Sequence, residues 1–164
     1  MVFQGLVLSV EEMLERAQAD SGTQAATEVG VRHTASDSAR ACTALLTAGG
    51  SLDECWRFGI LQTLDDYTST LRRGGAPLGM QVFTDEPPLT GAAEVDAALA
   101  ALACYLADRD GWDAPAWAWD FSRCLTTRWY PAVPEIFRDE ADLDSPPAFR
   151  DRGIFITNRS LARA

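Results

Sequence analysis

The sequence contains no lysine, so all fourteen of its basic residues are arginines. Without lysine, this chain cannot provide the ammonium group of a P-loop or of a protein kinase, nor the amine that forms a Schiff base. Histidine is almost as scarce, since His33 is the only one. A zinc site with several histidine ligands is therefore excluded as well.

Cysteine occurs four times, at Cys42, Cys55, Cys104 and Cys124, and no two of them are spaced as a C-x-x-C pair. This spacing matches neither a zinc ribbon nor a thioredoxin motif, and it predicts buried thiols. The alternative is that His33 and a cysteine form a nucleophile with its base, or part of a metal site. We expect no metal and no cofactor.

Long apolar runs are also absent, because no stretch of the sequence approaches the roughly 18 residues that a membrane span requires. Positions 1–10 are partly apolar, but they lack the basic start and the cleavage-site pattern of a signal peptide. These absences predict a cytoplasmic protein that does not bind membranes.

The formal net charge of the chain is −10, and both halves carry an excess of acidic residues. Positions 1–75 hold six basic and ten acidic residues, and positions 76–164 hold eight basic and fourteen acidic ones. Because affinity for nucleic acids depends largely on cations that neutralise phosphates, this distribution predicts weak binding to DNA or RNA. We expect instead a partner protein that is more basic than this chain.

Two capping boxes mark the starts of helices, with the sequences SVEE at positions 9–12 and SLDE at positions 51–54. The second predicts a helix over 52–73, because its apolar residues recur at helical spacing and two glycines follow it. A helix over 92–109 is apolar on nearly all sides, which is typical of a central element. We therefore predict a mainly α fold, a small helical domain built on these two long helices.

The composition divides the chain into three parts. A helical part covers 1–75, a linker rich in Gly, Pro and Thr covers 76–91, and a C-terminal part covers 92–164. After its first helix, the C-terminal part is rich in Trp and Pro, which predicts irregular structure covered by aromatic rings. A minor β element fits either 80–83 or 154–156. We expect the N-terminal and C-terminal parts to pack as one unit.

Clusters of carboxylates have a functional and a structural interpretation. The sequence DRDGWD at positions 108–113 is faintly similar to a calcium loop, but an Asp-Gly turn after a helix explains it as well. Asp142 with Asp144, or the pair at positions 65–66, could provide a general acid and base. Neighbours in sequence do not establish two carboxyl groups across a cleft, so we favour a solvated acidic surface.

Most of the large aromatic rings lie in the last third of the chain. They can pack an irregular core, or they can contact a partner, because Trp and Tyr are frequent at interface hot spots. We select four rings as anchors for a partner protein and two arginines to orient it: Trp129, Tyr130, Phe149, Phe155, Arg128 and Arg152. The simpler alternative for the arginines is pairing with the acidic run at 139–144.

Three segments of positions 87–163 form a pattern: APAW at 114–117, RWYP at 128–131 and SPPAFRDRGIFI at 145–156. This pattern resembles the C-terminal domain of actinobacterial helix-turn-helix regulators of antitoxin type, most specifically in the third segment. The sequence GTQA at 22–25, leading to Gly30-Val31, is similar to the second helix and turn of a helix-turn-helix. The resemblance implies a regulatory or antitoxin setting, with a cognate toxin as the partner.

The leading hypothesis is a non-enzymatic interaction or regulatory protein, and two alternatives remain open. One is a DNA-binding transcriptional regulator that uses Arg32, His33 and Arg40, although Asp37 lies among these cations. The other is an enzyme of unrecognised type, which would require a deep pocket lined by converging carboxylates and arginines. No pattern in the sequence predicts an oligomeric state.

Overall fold

The computed structural model describes residues 30–162, and this part of the chain is mainly helical and contains no β-strand. The predicted mainly α fold is confirmed. The capping box at positions 9–12 and positions 22–29 of the helix-turn-helix pattern lie outside the described residues.

Helix α1 is Ala35–Thr47, and a capping box starts it. The Thr34 hydroxyl accepts a hydrogen bond from the Asp37 N–H, and the Asp37 carboxylate accepts one from the Thr34 N–H at 2.9 Å. These bonds satisfy amides that the first turn of a helix leaves unpaired. The buried side of α1, which includes Ala35, Ala39 and Cys42, contacts the core.

The predicted long helix starts at its capping box and consists of three consecutive pieces. Helix α2 (Leu52–Cys55) continues through a π-helical turn (Trp56–Ile60) into helix α3 (Leu61–Gly79). Gly75 interrupts α3 with a positive φ of 68°, a conformation that glycine adopts without steric cost, and Pro77 follows it. The predicted helix end at two glycines therefore corresponds to this kink.

Close packing against α1 accompanies the π-helical turn. In this turn the Leu61 N–H donates to the Trp56 carbonyl, five residues earlier. Gly59 lies inside the turn, and a Cβ atom built on it would lie 2.2 Å from the Cys42 sulfur. Only a residue without a side chain allows the two helices to approach this closely.

We predict that Gly59→Ala destabilises the protein by about 1–3 kcal/mol through overpacking. The sign of the change in stability is informative, because Gly→Ala in an exposed helix interior is instead stabilising by up to about 1 kcal/mol. Urea unfolding of both single variants and of the double variant with Cys42→Ala measures the effect. The double variant should lose less stability than the sum of the two single losses, and additive losses would contradict the close contact.

Helix α4 (Ala93–Asp110) is the central element, as predicted. Its buried residues lie on all sides and include Val95, Leu99, Leu102 and Leu106. At its start, the buried Asp96 carboxylate accepts hydrogen bonds from the Thr90 N–H and hydroxyl, both at 2.9 Å. The helix ends where Gly111 takes the left-handed conformation and donates to the Ala107 carbonyl.

The predicted linker over 76–91 contains core residues. Met80–Phe83 forms a 3₁₀-helix, and Val82 and Phe83 are fully buried. The β element predicted at 80–83 is therefore wrong, because the chain here stays helical after α3. At 154–156 the prediction reduces to one isolated parallel bridge between Ile154 and Trp129.

The C-terminal part is built from short elements that cover α4. They are the α-helices α5 (Arg138–Asp144) and α6 (Pro147–Arg150), and the 3₁₀-helices Ala116–Trp119, Phe121–Arg123, Glu135–Phe137 and Asn158–Leu161. Tryptophans attach this part to the core through their N–H groups. The Trp117 indole donates to the Phe83 carbonyl at 3.0 Å, and the Trp112 indole donates to the Tyr67 hydroxyl at 2.9 Å.

Tyr67 is the centre of a hydrogen-bonded cluster at the end of α4. Its ring is fully buried, and its hydroxyl donates to the Asp110 carboxylate at 2.7 Å while accepting from Trp112. Burial, followed by the hydrogen bond to Asp110, raises the pKa of Tyr67 to about 12. The protonated phenol is therefore the form that the fold stabilises.

We predict an alkaline loss of stability that depends on Tyr67. The unfolded tyrosine loses its proton near pH 10, below the folded pKa of about 12. The contribution to stability is thus complete below about pH 10 and declines as the pH rises towards the folded pKa. Urea unfolding between pH 8 and 11.5 should show a steeper decline for the natural chain than for Tyr67→Phe, and equal slopes would contradict this assignment.

Candidate functional site

The structure places the six predicted partner-binding residues in different environments. Phe149 is fully buried, Phe155 is 7% exposed, and Trp129 packs edge-on against the buried Trp56 with ring centroids 5.9 Å apart. Arg152 is also buried. Phe149, Phe155 and Arg152 are thus buried and Trp129 is half-buried against the core, while a role of these residues in binding a partner stays a prediction.

The other two candidates, Arg128 and Tyr130, connect α5 to the segment around the β-bridge between Trp129 and Ile154. Arg128 donates to the Asp142 carboxylate at 3.0 Å, and the Tyr130 hydroxyl donates to the other oxygen of the same carboxylate at 2.8 Å. The Arg128 guanidinium lies 4.7 Å from the centroid of the Phe155 ring, on which Tyr130 also stacks. Arg128 therefore pairs with the acidic run at 139–144, which was the simpler alternative predicted for it.

Three of the exposed large apolar side chains of the described chain lie in the segment 135–144, which contains the acidic run. Ile136 and Leu143 are 83% and 82% exposed, and Phe137 is 44% exposed. Ile136 lies in the 3₁₀-helix Glu135–Phe137 and Leu143 lies in α5, which follows directly. We name residues 135–144 the acidic–apolar face. Sequence reasoning missed it, although Ile136, Phe137 and Leu143 stand in or directly before the acidic run in the sequence.

The charge of the acidic–apolar face is strongly negative. The segment contains five carboxylates and a single arginine. Asp142 is bound by Arg128, and Glu135 lies 3.5 Å from Arg138. Asp139 and Glu140 have no ion-pair partner among residues 30–162. The face therefore presents uncompensated negative charge beside two exposed aliphatic side chains.

The predicted DNA-binding residues lie at the start of α1. Arg32 and His33 are exposed just before this helix, and Arg40 is exposed within it. Arg40 donates to the Asp37 carboxylate at 3.1 Å, so one of the three cations has an internal counter-charge. DNA binding by these residues stays a prediction.

Three of the four cysteines, Cys42, Cys55 and Cys104, are buried as predicted, whereas Cys124 is half-buried. Between positions 30 and 162, no three His, Cys, Asp or Glu side chains are grouped so as to hold a metal ion. Burial raises the pKa of the Cys42 thiol to about 12 and raises the pKa values of Cys55 and Cys104 as well. These thiols therefore stay protonated near neutral pH and are poor nucleophiles.

The carboxylate clusters have structural partners. Asp110, in the sequence that is faintly similar to a calcium loop, accepts from Tyr67 and is contacted by Arg109 at 2.7 Å. The Arg109 hydrogen bonds are the main cause that lowers the Asp110 pKa. Asp66 accepts from Gln62 at 3.3 Å, and Asp144 accepts from Asn158 at 3.2 Å.

We predict that alanine substitution separates the core rings from the surface side chains. Phe149→Ala should cost about 3–5 kcal/mol, because it removes a fully buried ring. Ile136→Ala should change stability by no more than about 0.5 kcal/mol, because that side chain faces solvent. Urea unfolding measures both variants. Similar losses for the two would contradict the burial of Phe149.

Comparison with known proteins identifies no relative. The chain matches no model of a protein family. No curated protein and no solved structure matches it either. Among the helices of residues 30–162, none combines the length and the apolar character that a membrane crossing needs.

Proposed function

We propose that this chain is a non-enzymatic interaction protein of regulatory type that binds a more basic partner protein through its acidic–apolar face. In the antitoxin-like setting that the sequence pattern implies, the partner is a cognate toxin. The observation that carries the proposal is the exposure of Ile136 and Leu143 on a segment with five carboxylates.

The apolar component of the face supports a binding role on energetic grounds. Single exposed aliphatic residues are ordinary on protein surfaces, but several exposed apolar side chains in one short charged segment favour an interaction site. Phe137 extends the apolar group, because it is partly exposed and lines a small pocket with Val133 and Pro134. A partner that covers these side chains gains the hydrophobic contribution that folding leaves unused.

The charge of the acidic–apolar face indicates the sign of the charge on the partner. Uncompensated carboxylates at Asp139 and Glu140 attract a basic surface and repel an acidic one. The net charge of −10 adds a long-range field of the same sign, which favours encounter with a cationic partner. The same field disfavours nucleic acid at this face.

The acidic–apolar face is also held in place by the rest of the fold. Arg128 and Tyr130 bind Asp142 from one side, and the Ser145 hydroxyl donates to the Ala141 carbonyl at 2.6 Å at the end of α5. A fixed surface binds with a smaller loss of conformational entropy than a mobile one. Arg128 and Tyr130 thus position the face in this proposal.

The test compares two exposed leucines. A photo-crosslinking amino acid is placed at Leu143, or at Leu89 as the control, since these side chains are 82% and 68% exposed. The full chain is irradiated in its source organism. We expect one basic protein to crosslink from Leu143 and not from Leu89. The captured protein is then purified, and its affinity is measured for Leu143→Ala and Leu89→Ala at low and moderate salt.

We expect Leu143→Ala to weaken binding about tenfold, equivalent to about 1.4 kcal/mol, while Leu89→Ala changes affinity less than twofold. Binding should also weaken as salt is raised, because the carboxylates of the face are solvent-exposed. Equal crosslinking from both positions, or an affinity that Leu143→Ala leaves unchanged, would show that the acidic–apolar face is not the binding site. Capture of an acidic partner would contradict the electrostatic part of the proposal.

A further inference from the structure

A second surface feature, distinct from the acidic–apolar face, is a pocket of about 310 Å³ beside the middle and end of α4. Cys104, Tyr105 and Asp108 line it from α4, and Trp119 lines it from the following 3₁₀-helix. Residues 146–148, Asp151 and Arg152 form the opposite wall. The volume lies at the lower end of the range of roughly 300–1,000 Å³ that is usual for ligand sites, so it suits a small molecule.

The wall of this pocket contains a buried cation without an anionic partner. Arg152 is only 6% exposed, and it donates to the Ala148 carbonyl at 2.9 Å and also to the Ala118 carbonyl. No carboxylate of the described chain lies within ion-pair distance of its guanidinium, and its Nε atom is buried without a hydrogen-bond acceptor. By contrast, the buried Arg123 pairs with Glu86 at 3.1 Å.

A buried guanidinium that lacks an anion and leaves one N–H unpaired is energetically unfavourable. A ligand carboxylate is the anion that a guanidinium binds best. The Nε–H is the donor of Arg152 that is left for it, because the Nη2 group already binds Ala118 and Cys104 and the Nη1 group binds Ala148. The Trp119 ring lies over the guanidinium, with its centroid 5.7 Å from the central carbon. Since Trp119 is 66% exposed, its ring can move aside at little cost in buried surface.

The pocket also contains two carboxylates, Asp108 and Asp151, and both residues are exposed. They disfavour a ligand that carries only negative charge. A ligand that carries a cationic group beside its carboxylate satisfies them and Arg152 together. The charges of the pocket therefore select a zwitterion.

The remaining walls are apolar. The Trp119 and Tyr105 rings and the prolines at positions 146 and 147 provide flat surfaces for a hydrophobic side chain. An ammonium group near Trp119 also gains cation–π attraction. Size, charge and apolar surface thus agree on one class of molecule.

We propose that this pocket binds a free α-amino acid with an apolar side chain. The ligand carboxylate approaches Arg152, the ammonium group approaches Asp108 and Asp151, and the side chain packs against Trp119 and the prolines. This inference does not depend on the proposed partner protein.

Titration calorimetry of the full chain with L-phenylalanine, L-tyrosine, L-leucine and L-methionine tests the proposal. We expect at least one of them to bind with a Kd of about 1 mM or tighter. For L-phenylalanine, the matched probes are phenethylamine, which lacks the carboxylate, and 3-phenylpropionate, which lacks the ammonium group. Each should bind at least tenfold more weakly than the amino acid. A ligand-induced shift of the Arg152 Nε–H signal in the nitrogen-15 spectrum should accompany binding.

Variants of exposed residues localise the ligand without disturbing the core. Trp119→Ala and Asp151→Asn should each weaken binding at least fivefold, and both side chains are exposed, so the variants should fold normally. Phe121→Ala and Asp85→Asn are the matched controls outside the pocket and should leave the affinity unchanged.

Three results would overturn the inference. They are no binding by any of the four amino acids, equal binding of the truncated probes, or affinities that the pocket variants and the controls affect alike. Arg152 would then have only a structural role, through its hydrogen bonds to the Ala148 and Ala118 carbonyls, and the pocket would not bind amino acids.

Discussion

The fold depends on the burial of α4 on all sides. A helix that is apolar around its whole circumference is stable only when other elements cover every side of it. Twelve of its eighteen residues are buried, and many are alanines, which allow neighbouring segments to approach closely. Helices α1 to α3 cover part of its surface, and the short C-terminal elements with their aromatic rings cover the rest. The irregular C-terminal part is therefore required by the central helix.

Irregular segments leave backbone carbonyls without the partners that helices provide, and in this chain side chains satisfy several of them. The Trp117 indole binds the Phe83 carbonyl, and Arg123 binds the Pro87 carbonyl at 2.7 Å. The Ser145 hydroxyl donates to the Ala141 carbonyl at 2.6 Å and accepts from the Ile156 N–H at 2.7 Å. These bonds replace a regular hydrogen-bond ladder, and they explain why the C-terminal part stays ordered with little secondary structure.

Features that depend on neighbours along the chain were predictable from the sequence. The capping box at positions 51–54, the buried stripe that includes Trp56 and Tyr67, and the central helix over 92–109 follow from local spacing, and the structure confirms them. The π-helical turn was not predictable, because it accompanies contact between Gly59 and Cys42 on another helix. The β element predicted at 80–83 was wrong, because a short apolar run after a stretch with Gly and Pro fits a strand and a 3₁₀-helix equally well.

The candidate site was less predictable than the fold, because burial of a given ring depends on tertiary packing. Phe149 and Ile136 are both large apolar residues in the same third of the chain, yet one is fully buried and the other is 83% exposed. Composition favoured the aromatic residues as anchors, but two of the four selected rings, Phe149 and Phe155, are buried. Aliphatic side chains flanking the acidic run stay on the surface, and their environment could be recognised only after α5 was placed.

In a chain without lysine, two buried arginines make several contacts each inside the fold. Arg152 reaches two carbonyls and the Cys104 sulfur at the same time, and Arg123 joins a carbonyl and a carboxylate while lying over the Trp117 ring. The planar fork of a guanidinium allows such multiple contacts, whereas an ammonium group is a compact point charge. Arg123 pairs with Glu86, whereas no carboxylate of the described chain lies within ion-pair distance of Arg152. Of these two buried arginines, Arg152 is therefore the one whose charge is left for a ligand.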